Sequence, residues 1–252
     1  MKRVLALDFD GVIWDSVGEC FVMARRAYQN LYGLPCSDLE ACFRRGRWLV
    51  RTGGDFLLVL QLAMADPERD LTHFDHQEFS RLQQQKAEEC QEFAREFYRL
   101  REECREQHWD EWCSYQQAYP SFLQQLPRLR EQFAELAICT TKDRESARQL
   151  LQSAGLEFKI WGKESGLHKG EQMRQLFQEL EVEPGQVYFI DDLVDNLLQV
   201  APLGVACGLA GWGYNTEIER QRARDQGFPV LEPFTLCESL AQSWSNGCAR
   251  PA

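Results

Sequence analysis

Five short apolar runs, each closing on polar residues and separated by a helical pattern, restrict most what this chain can fold into. They lie at residues 3–8 (RVLALD), 134–139 (AELAIC), 186–190 (QVYFI), 205–209 and 228–231. A strand that is apolar throughout, without alternation, is buried on both faces, as in a parallel sheet. Helical patterns at 121–132, 143–153, 170–180, 193–201 and 216–226 would supply the covering layers. The expected fold class is therefore α/β, with a parallel-sheet, Rossmann-like core.

Residues 16–118 interrupt the alternation. No strand is evident there, and apolar residues such as Phe93, Phe97, Leu100 and Cys104 recur at helical spacing. Residues 75–118 contain neither Gly nor Pro. As one straight helix they would reach roughly 60 Å at about 1.5 Å per residue. A break near Gln107–Asp110, or an antiparallel pair, is expected instead. The mixed charges between Glu88 and Glu111 read as a solvated helix face. The domain expectation is a core of residues 1–15 plus 119–252, with an all-helical domain inserted at 16–118. Tyr119-Pro120 marks the return, since Pro suits a helix start.

Composition narrows the function. Lys plus Arg number 28 and Asp plus Glu 39, a net charge of −11. That surplus argues against a nucleic-acid partner or an anionic membrane, both of which favour a basic face. No run approaches the roughly 18 apolar residues of a membrane span. Asp8 and Asp10 cut short the apolar run that opens at Val4, which reads as a strand rather than a secretory leader. The ten cysteines show no CxxC spacing, so they are expected to be reduced thiols of a cytoplasmic protein. His73 and His76 flank Asp75 and read as a solvated helix start. The oligomeric state is not legible.

Polar residues collect where a parallel sheet binds ligands, at the carboxyl ends of its strands. The first run ends in Asp8-Phe9-Asp10-Gly11 and the second in Thr140-Thr141-Lys142. A later one ends in Asp191-Asp192, followed by Asp195-Asn196, and Lys169 opens the helix before it. Clustered carboxylates repel one another unless a cation sits among them. Oxygen ligands favour a hard cation, with Mg²⁺ the first choice. A cation, an ammonium and a hydroxyl together suit the oxygens of a phosphoryl group. Asp8 and Asp10, two apart on an extended segment, could divide attack on phosphorus and proton transfer between them. Gly11 would let the chain turn close to the ligand.

DFDGVIWDS resembles the first motif of the haloacid dehalogenase superfamily, in the form its phosphatases and phosphomutases carry. ICTTK is similar to the second motif, Lys169 in HKGEQ to the third and FIDDLVDN to the fourth. AGWGY at 210–214 and GFPVL at 227–231 resemble the tail of the phosphoglycolate phosphatase and β-phosphoglucomutase branch. The resemblance implies a Mg²⁺-dependent phosphatase acting on a small phosphorylated metabolite. Asp8 would be the nucleophile that becomes an aspartyl-phosphate, and Asp10 the general acid and then base. Asp8, the backbone carbonyl of Asp10 and Asp191 would hold the metal. Thr140, Thr141 and Lys169 would bind the phosphoryl oxygens. The stretch from Lys169 to Asp191 is shorter than usual, which leaves Lys163 in WGKES as a rival. The fourth motif reads DDxxDN rather than GDSxxD, so Asp192 stands as a supporting or alternate ligand. Asp195 reads first as a charge favoured in a helix first turn.

The inserted segment resembles the helical cap of such enzymes, with Ser16 as its first helix N-cap. Arg44, Arg47 and Arg51 fall at i, i+3 and i+7 beside Trp48, on one face of a helix that Gly53-Gly54 would stop. Arg47 and Arg51 are candidate substrate-binding residues of a lid surface; a solvated helix with Trp48 in the core is the competing reading. A phosphomutase would use the same residues, and a non-catalytic phospho-ligand-binding protein would keep the fold alone. A dehalogenase should lack Asp10. A phospho-signalling receiver would carry its acceptor on a middle strand and no such insertion.

Overall fold

The computed structural model describes residues 2–33 and 39–245. Two compact units emerge, one running to Asp15 and resuming at Ala118, the other spanning Ser16–Gln117. The first opens with β1 (Val4–Leu7) and the short β2 (Trp14–Asp15). The second holds α1 (Val17–Tyr32), α2 (Glu40–Gly46), α3 (Asp55–Ala65), α4 (His76–Gln85), α5 (Ala87–Gln107) and α6 (Trp109–Ser114), and the chain leaves it through β3 (Gln117–Ala118). The first unit then continues through α7 (Pro120–Gln132), β4 (Glu135–Cys139), α8 (Arg144–Ser153), β5 (Lys159–Trp161), α9 (Lys169–Leu180) and β6 (Val187–Asp191). It closes with α10 (Val194–Val200), β7 (Ala206–Ala210), α11 (Glu217–Asp225), β8 (Val230–Leu231) and α12 (Leu236–Ser245).

Six strands form one sheet in the order β5-β4-β1-β6-β7-β8, with neighbours parallel. The Rossmann-like α/β expectation is met. Every residue of β1 is fully buried, because it lies at the sheet centre between β4 and β6. Leu7 pairs with Ile138 on one side and Ile190 on the other. The chain builds outward from β1 to β4 and β5, then crosses back to β6. That reversal opens a crevice at the carboxyl end of β1.

One face of the sheet is sealed by Met173, Leu176 and Leu180 of α9 and Val194, Leu197 and Val200 of α10, packed on Val4, Ala6, Ala137, Val187 and Phe189. Local chemistry sets the helix starts. Pro120 occupies the first turn of α7. The Asp143 carboxylate accepts from Ser146 N–H at the start of α8, and Thr216 plays the same part for α11. The edge strand β5 was not expected: at three residues with Lys159 exposed, it has too little apolar pattern to read.

In the helical unit the run free of Gly and Pro breaks twice, at Lys86 and at His108, the second within the stretch expected to break. Ser16 does sit at the start of α1, yet its side chain makes no capping hydrogen bond. His76 opens α4 behind the cap Asp75; His73, Asp75 and His76 are all exposed, as expected of a solvated helix start, and the His76 ring meets Trp48 edge-on. The eight described cysteines are all free, six of them buried; Cys36 and Cys248 lie outside the described residues. None of the described helices is long and apolar enough to cross a membrane.

The polar centre of this unit is Glu19, fully buried on α1. Its carboxylate accepts from Arg101 Nε at 2.8 Å and Nη2 at 2.6 Å, and from Trp112 Nε1 at 3.1 Å. One acid thereby ties α1 to α5 and α6. Glu19→Ala would strand the Arg101 cation, whose side chain is only 22% exposed. The expected cost is about 3–5 kcal/mol, read as a lower denaturant midpoint, with a smaller loss for Glu19→Gln. Equal stability of Glu19→Ala and the native chain would show that the pair contributes nothing.

Candidate active site

Asp8 follows β1 directly, and its N–H donates to Ile190 O of β6 at 2.9 Å. The backbone is thus held at the crevice before any side chain acts. Gly11 turns the chain with φ of +85°, a left-handed conformation that favours glycine. A Cβ there would also lie 2.2 Å from Asp192 Oδ2, so the first loop lies directly against the Asp192 side chain.

Lys169, first residue of α9, is 1% exposed and reaches the crevice floor. Its Nζ donates to Asp8 Oδ1 at 2.6 Å and to the Cys139 carbonyl at 2.5 Å, and lies 3.5 Å from Asp191 Oδ2. Burial opposes the ammonium charge, but Asp8 and Asp191 outweigh it and hold the pKa above that of an ordinary lysine. The rival Lys163 is exposed in a short turn, where its backbone N–H donates to Lys142 O.

Asp191 is fully buried at the end of β6. Its Oδ1 accepts from Leu193 N–H at 2.9 Å and Asn196 Nδ2 at 3.0 Å, while Oδ2 accepts from Asn196 at 3.1 Å. Asp192 is also buried, and its Oδ2 accepts from Tyr214 N–H at 2.7 Å. Asp8, Asp191 and Asp192 each offer a carboxylate oxygen, all within 4.8 Å of one another. Burial, then the Asp8 charge, push the Asp191 carboxyl well above its usual range, although Lys169 pulls the other way. A divalent cation is the group whose charge would relieve that repulsion. The donors are all oxygen, which fits a hard ion and not a soft one.

Asp10 lies apart from this trio. Its carboxylate takes Lys142 Nζ at 3.0 Å through Oδ1 and 3.2 Å through Oδ2. Thr140, at the end of β4, is 1% exposed and accepts from Lys142 N–H through Oγ1 at 3.1 Å. Thr141 is exposed beside it. Asp195 falls in the first turn of α10 and pairs with Arg222 at 2.7 Å, in keeping with a helix-end charge.

Three residues that lie within the quoted motif stretches but were given no role there also shape the crevice. Lys142 is one. Gln172, fully buried on α9, donates to the carbonyls of Thr140 at 2.8 Å, Gly166 at 2.8 Å and Gly162 at 3.3 Å. Tyr214 hooks the loop after β7 to Asp192 by its N–H and to Asp15 Oδ1 by its hydroxyl at 3.0 Å. Glutamine and tyrosine carry no charge pattern to follow, and only the fold brings them here.

The arginines of the helical unit do not lie as expected. Helix α2 stops at Gly46, Arg47–Leu49 wind as a 3₁₀ turn and Val50 is extended, so Arg51 shares no helical face with Arg44 and Arg47. Two contacts redirect the chain: buried Trp48 donates to Leu71 O at 2.8 Å, and Asp55 Oδ2 accepts from Arg51 and Thr52 N–H. The guanidinium of Arg47 donates to Val50 O at 3.4 Å, and that of Arg51 to Trp48 O at 2.6 Å.

Residues 2–198 match the family model of a haloacid dehalogenase-like hydrolase. No curated protein matches the chain. Among solved structures it is similar to a predicted phosphoglycolate phosphatase from Haemophilus somnus, at TM-score 0.66 and 18% identity over 95% of this chain and 98% of that one. A predicted phosphatase from Clostridium acetobutylicum aligns at TM-score 0.64 and 16% identity, over 96% and 99%. A hydrolase of the haloacid dehalogenase-like family from Streptococcus pneumoniae aligns at 0.61 and 18%, over 96% and 98%. At such identities the likeness is one of fold.

Proposed function

The chain belongs to the haloacid dehalogenase-like hydrolases, and from that premise we propose that it is a phosphatase of a small phosphorylated metabolite. One observation carries the reading: Asp8 meets a buried lysine on one side and the Asp191–Asp192 carboxylates on the other, with Asp10 two residues on. Asp8 is the nucleophile. Its carboxylate attacks phosphorus, the ester oxygen departs with a proton from Asp10, and an aspartyl-phosphate remains on Asp8. Water then attacks that phosphorus, Asp10 takes its proton, and Asp8 leaves as a carboxylate. Lys169 and Thr140, with Thr141, bind the phosphoryl oxygens through the reaction.

Mg²⁺ would be held by Asp8, the Asp10 backbone carbonyl and Asp191, with Asp192 as the alternate donor. When bound, it would neutralise the cluster and polarise the phosphoryl oxygens. Both Asp191 oxygens accept hydrogen bonds and Asp192 Oδ2 accepts one from Tyr214 N–H, and a carboxylate oxygen so engaged keeps a lone pair for an ion. The helical unit would act as the cap that chooses the substrate, with Arg47 and Arg51 its proposed anion contacts. The free thiols support a reducing, cytoplasmic setting.

Incubation with p-nitrophenyl phosphate and Mg²⁺ tests the reading by release of inorganic phosphate. EDTA should stop that release and added Mg²⁺ restore it. Undiminished release in chelator would remove the metal from the mechanism, and no release from any phosphorylated metabolite would overturn the phosphatase.

A further inference from the structure

Each acid of the first loop has its own ammonium. Lys169 takes Asp8, and Lys142, which belongs to none of the four motif positions given a role, takes Asp10. The Lys142 side chain is 4% exposed, in the turn between β4 and α8. Its position is fixed by its surroundings. Its N–H donates to Thr140 Oγ1 at 3.1 Å, its carbonyl accepts from Lys163 N–H at 3.1 Å, and its ammonium lies 5.5 Å from the centroid of the Phe9 ring. Holding both oxygens of Asp10 at 3.0 and 3.2 Å sets the plane of that carboxylate. Asp10 itself is 23% exposed on its side chain, gripped on one side and accessible on another.

We propose that Lys142 is a positioning residue for Asp10 in the second half of the reaction, the hydrolysis of the aspartyl-phosphate; this rests on the phosphatase reading above. In that step the oxygen of water bonds to phosphorus and the P–O bond to Asp8 breaks. The electron pair of that bond returns to the Asp8 carboxylate, and the proton of water passes to Asp10. Lys142 gives up no proton and acts only through its contact with the Asp10 carboxylate. It aims the Asp10 oxygen that accepts. The first half is insensitive to this with p-nitrophenyl phosphate, whose phenolate leaves without being protonated. The two halves therefore separate when Lys142 is changed.

Rapid-quench kinetics with p-nitrophenyl phosphate and Mg²⁺ tests the inference, using Lys142→Met, which keeps length without charge, and Lys142→Arg, which keeps charge. For Lys142→Met a burst of p-nitrophenol is expected, followed by a steady rate about 10- to 100-fold below the native one, the size expected of a misplaced reacting group. Acid-stable phosphate bound to the protein should accumulate during that burst and be released by hydroxylamine. Lys142→Arg should regain part of the steady rate. Should Lys142→Met fail to fold, Lys142→Gln carries the same expectation. Burst and steady rate falling together, with no phosphoprotein, would make the lysine merely structural and overturn the proposal. An unchanged steady rate would overturn it as well. If the native protein releases phosphate from neither p-nitrophenyl phosphate nor any phosphorylated metabolite, the phosphatase reading fails and takes this inference with it; if it turns over and Lys142→Met is indifferent, only this inference fails.

Discussion

Replacing Asp8 with asparagine is expected to abolish phosphate release from every substrate while leaving the fold intact. The amide matches the carboxylate in shape and can still accept the Lys169 hydrogen bond that Asp8 Oδ1 accepts at 2.6 Å. It has no anionic oxygen with which to attack phosphorus, and no other acid follows β1 at the same depth. Asp10→Asn leaves the nucleophile in place and removes the proton carrier, so a fall of about 10²–10⁴-fold is expected. Phosphate release by both variants, followed beside their circular dichroism, checks the pair. A near-normal rate for Asp8→Asn with a dead Asp10→Asn would exchange the two roles.

Lys169→Ala is expected to lower turnover by about 10²–10³-fold, the scale of losing one preorganised donor to a developing oxyanion. Lys163→Ala should change it little. The contrast follows from burial: Lys169 is 1% exposed among Asp8, the Cys139 carbonyl and Asp191, whereas Lys163 stands in an exposed turn. Losing Lys169 also leaves two buried carboxylates facing each other, so Lys169→Ala should unfold at a lower temperature than the native chain in metal-free buffer. Equal turnover of Lys169→Ala and the native protein, or a larger loss in Lys163→Ala, would move the phosphate contact to the turn.

Much of the core could be read because its signals are local and strong. A strand buried on both faces must be apolar throughout, so β1, β4, β6 and β7 appear as runs within a residue or two of where they lie. Polar residues at strand ends announce a rim because nothing else in a parallel sheet tolerates them there. Lys169 at a helix start and Asp191 at a strand end were placed by that logic, and the structure brings both to Asp8. The short edge strand β5 escaped, since three residues running from exposed Lys159 to buried Trp161 are too few to leave a pattern.

What the sequence could not settle is which partner each polar group would take. Lys142 could be seen at the end of its run, but its pairing with Asp10 joins residues 132 positions apart and depends on β4 lying beside β1. Gln172 and Tyr214 give no signal of their own, and acquire a place only because α9 and the loop after β7 converge on the crevice. The arginine spacing at 44, 47 and 51 misled for the opposite reason. A helical period predicts a shared face only while the helix lasts, and the burial of Trp48 with the Asp55 hydrogen bonds ends it at Gly46. Thus the local period and the burial of whole strands were determined by the sequence itself. The pairing of charges, the turn at Gly46 and the crevice at the end of β1 were decided by tertiary packing, because each depends on contacts between segments distant along the chain.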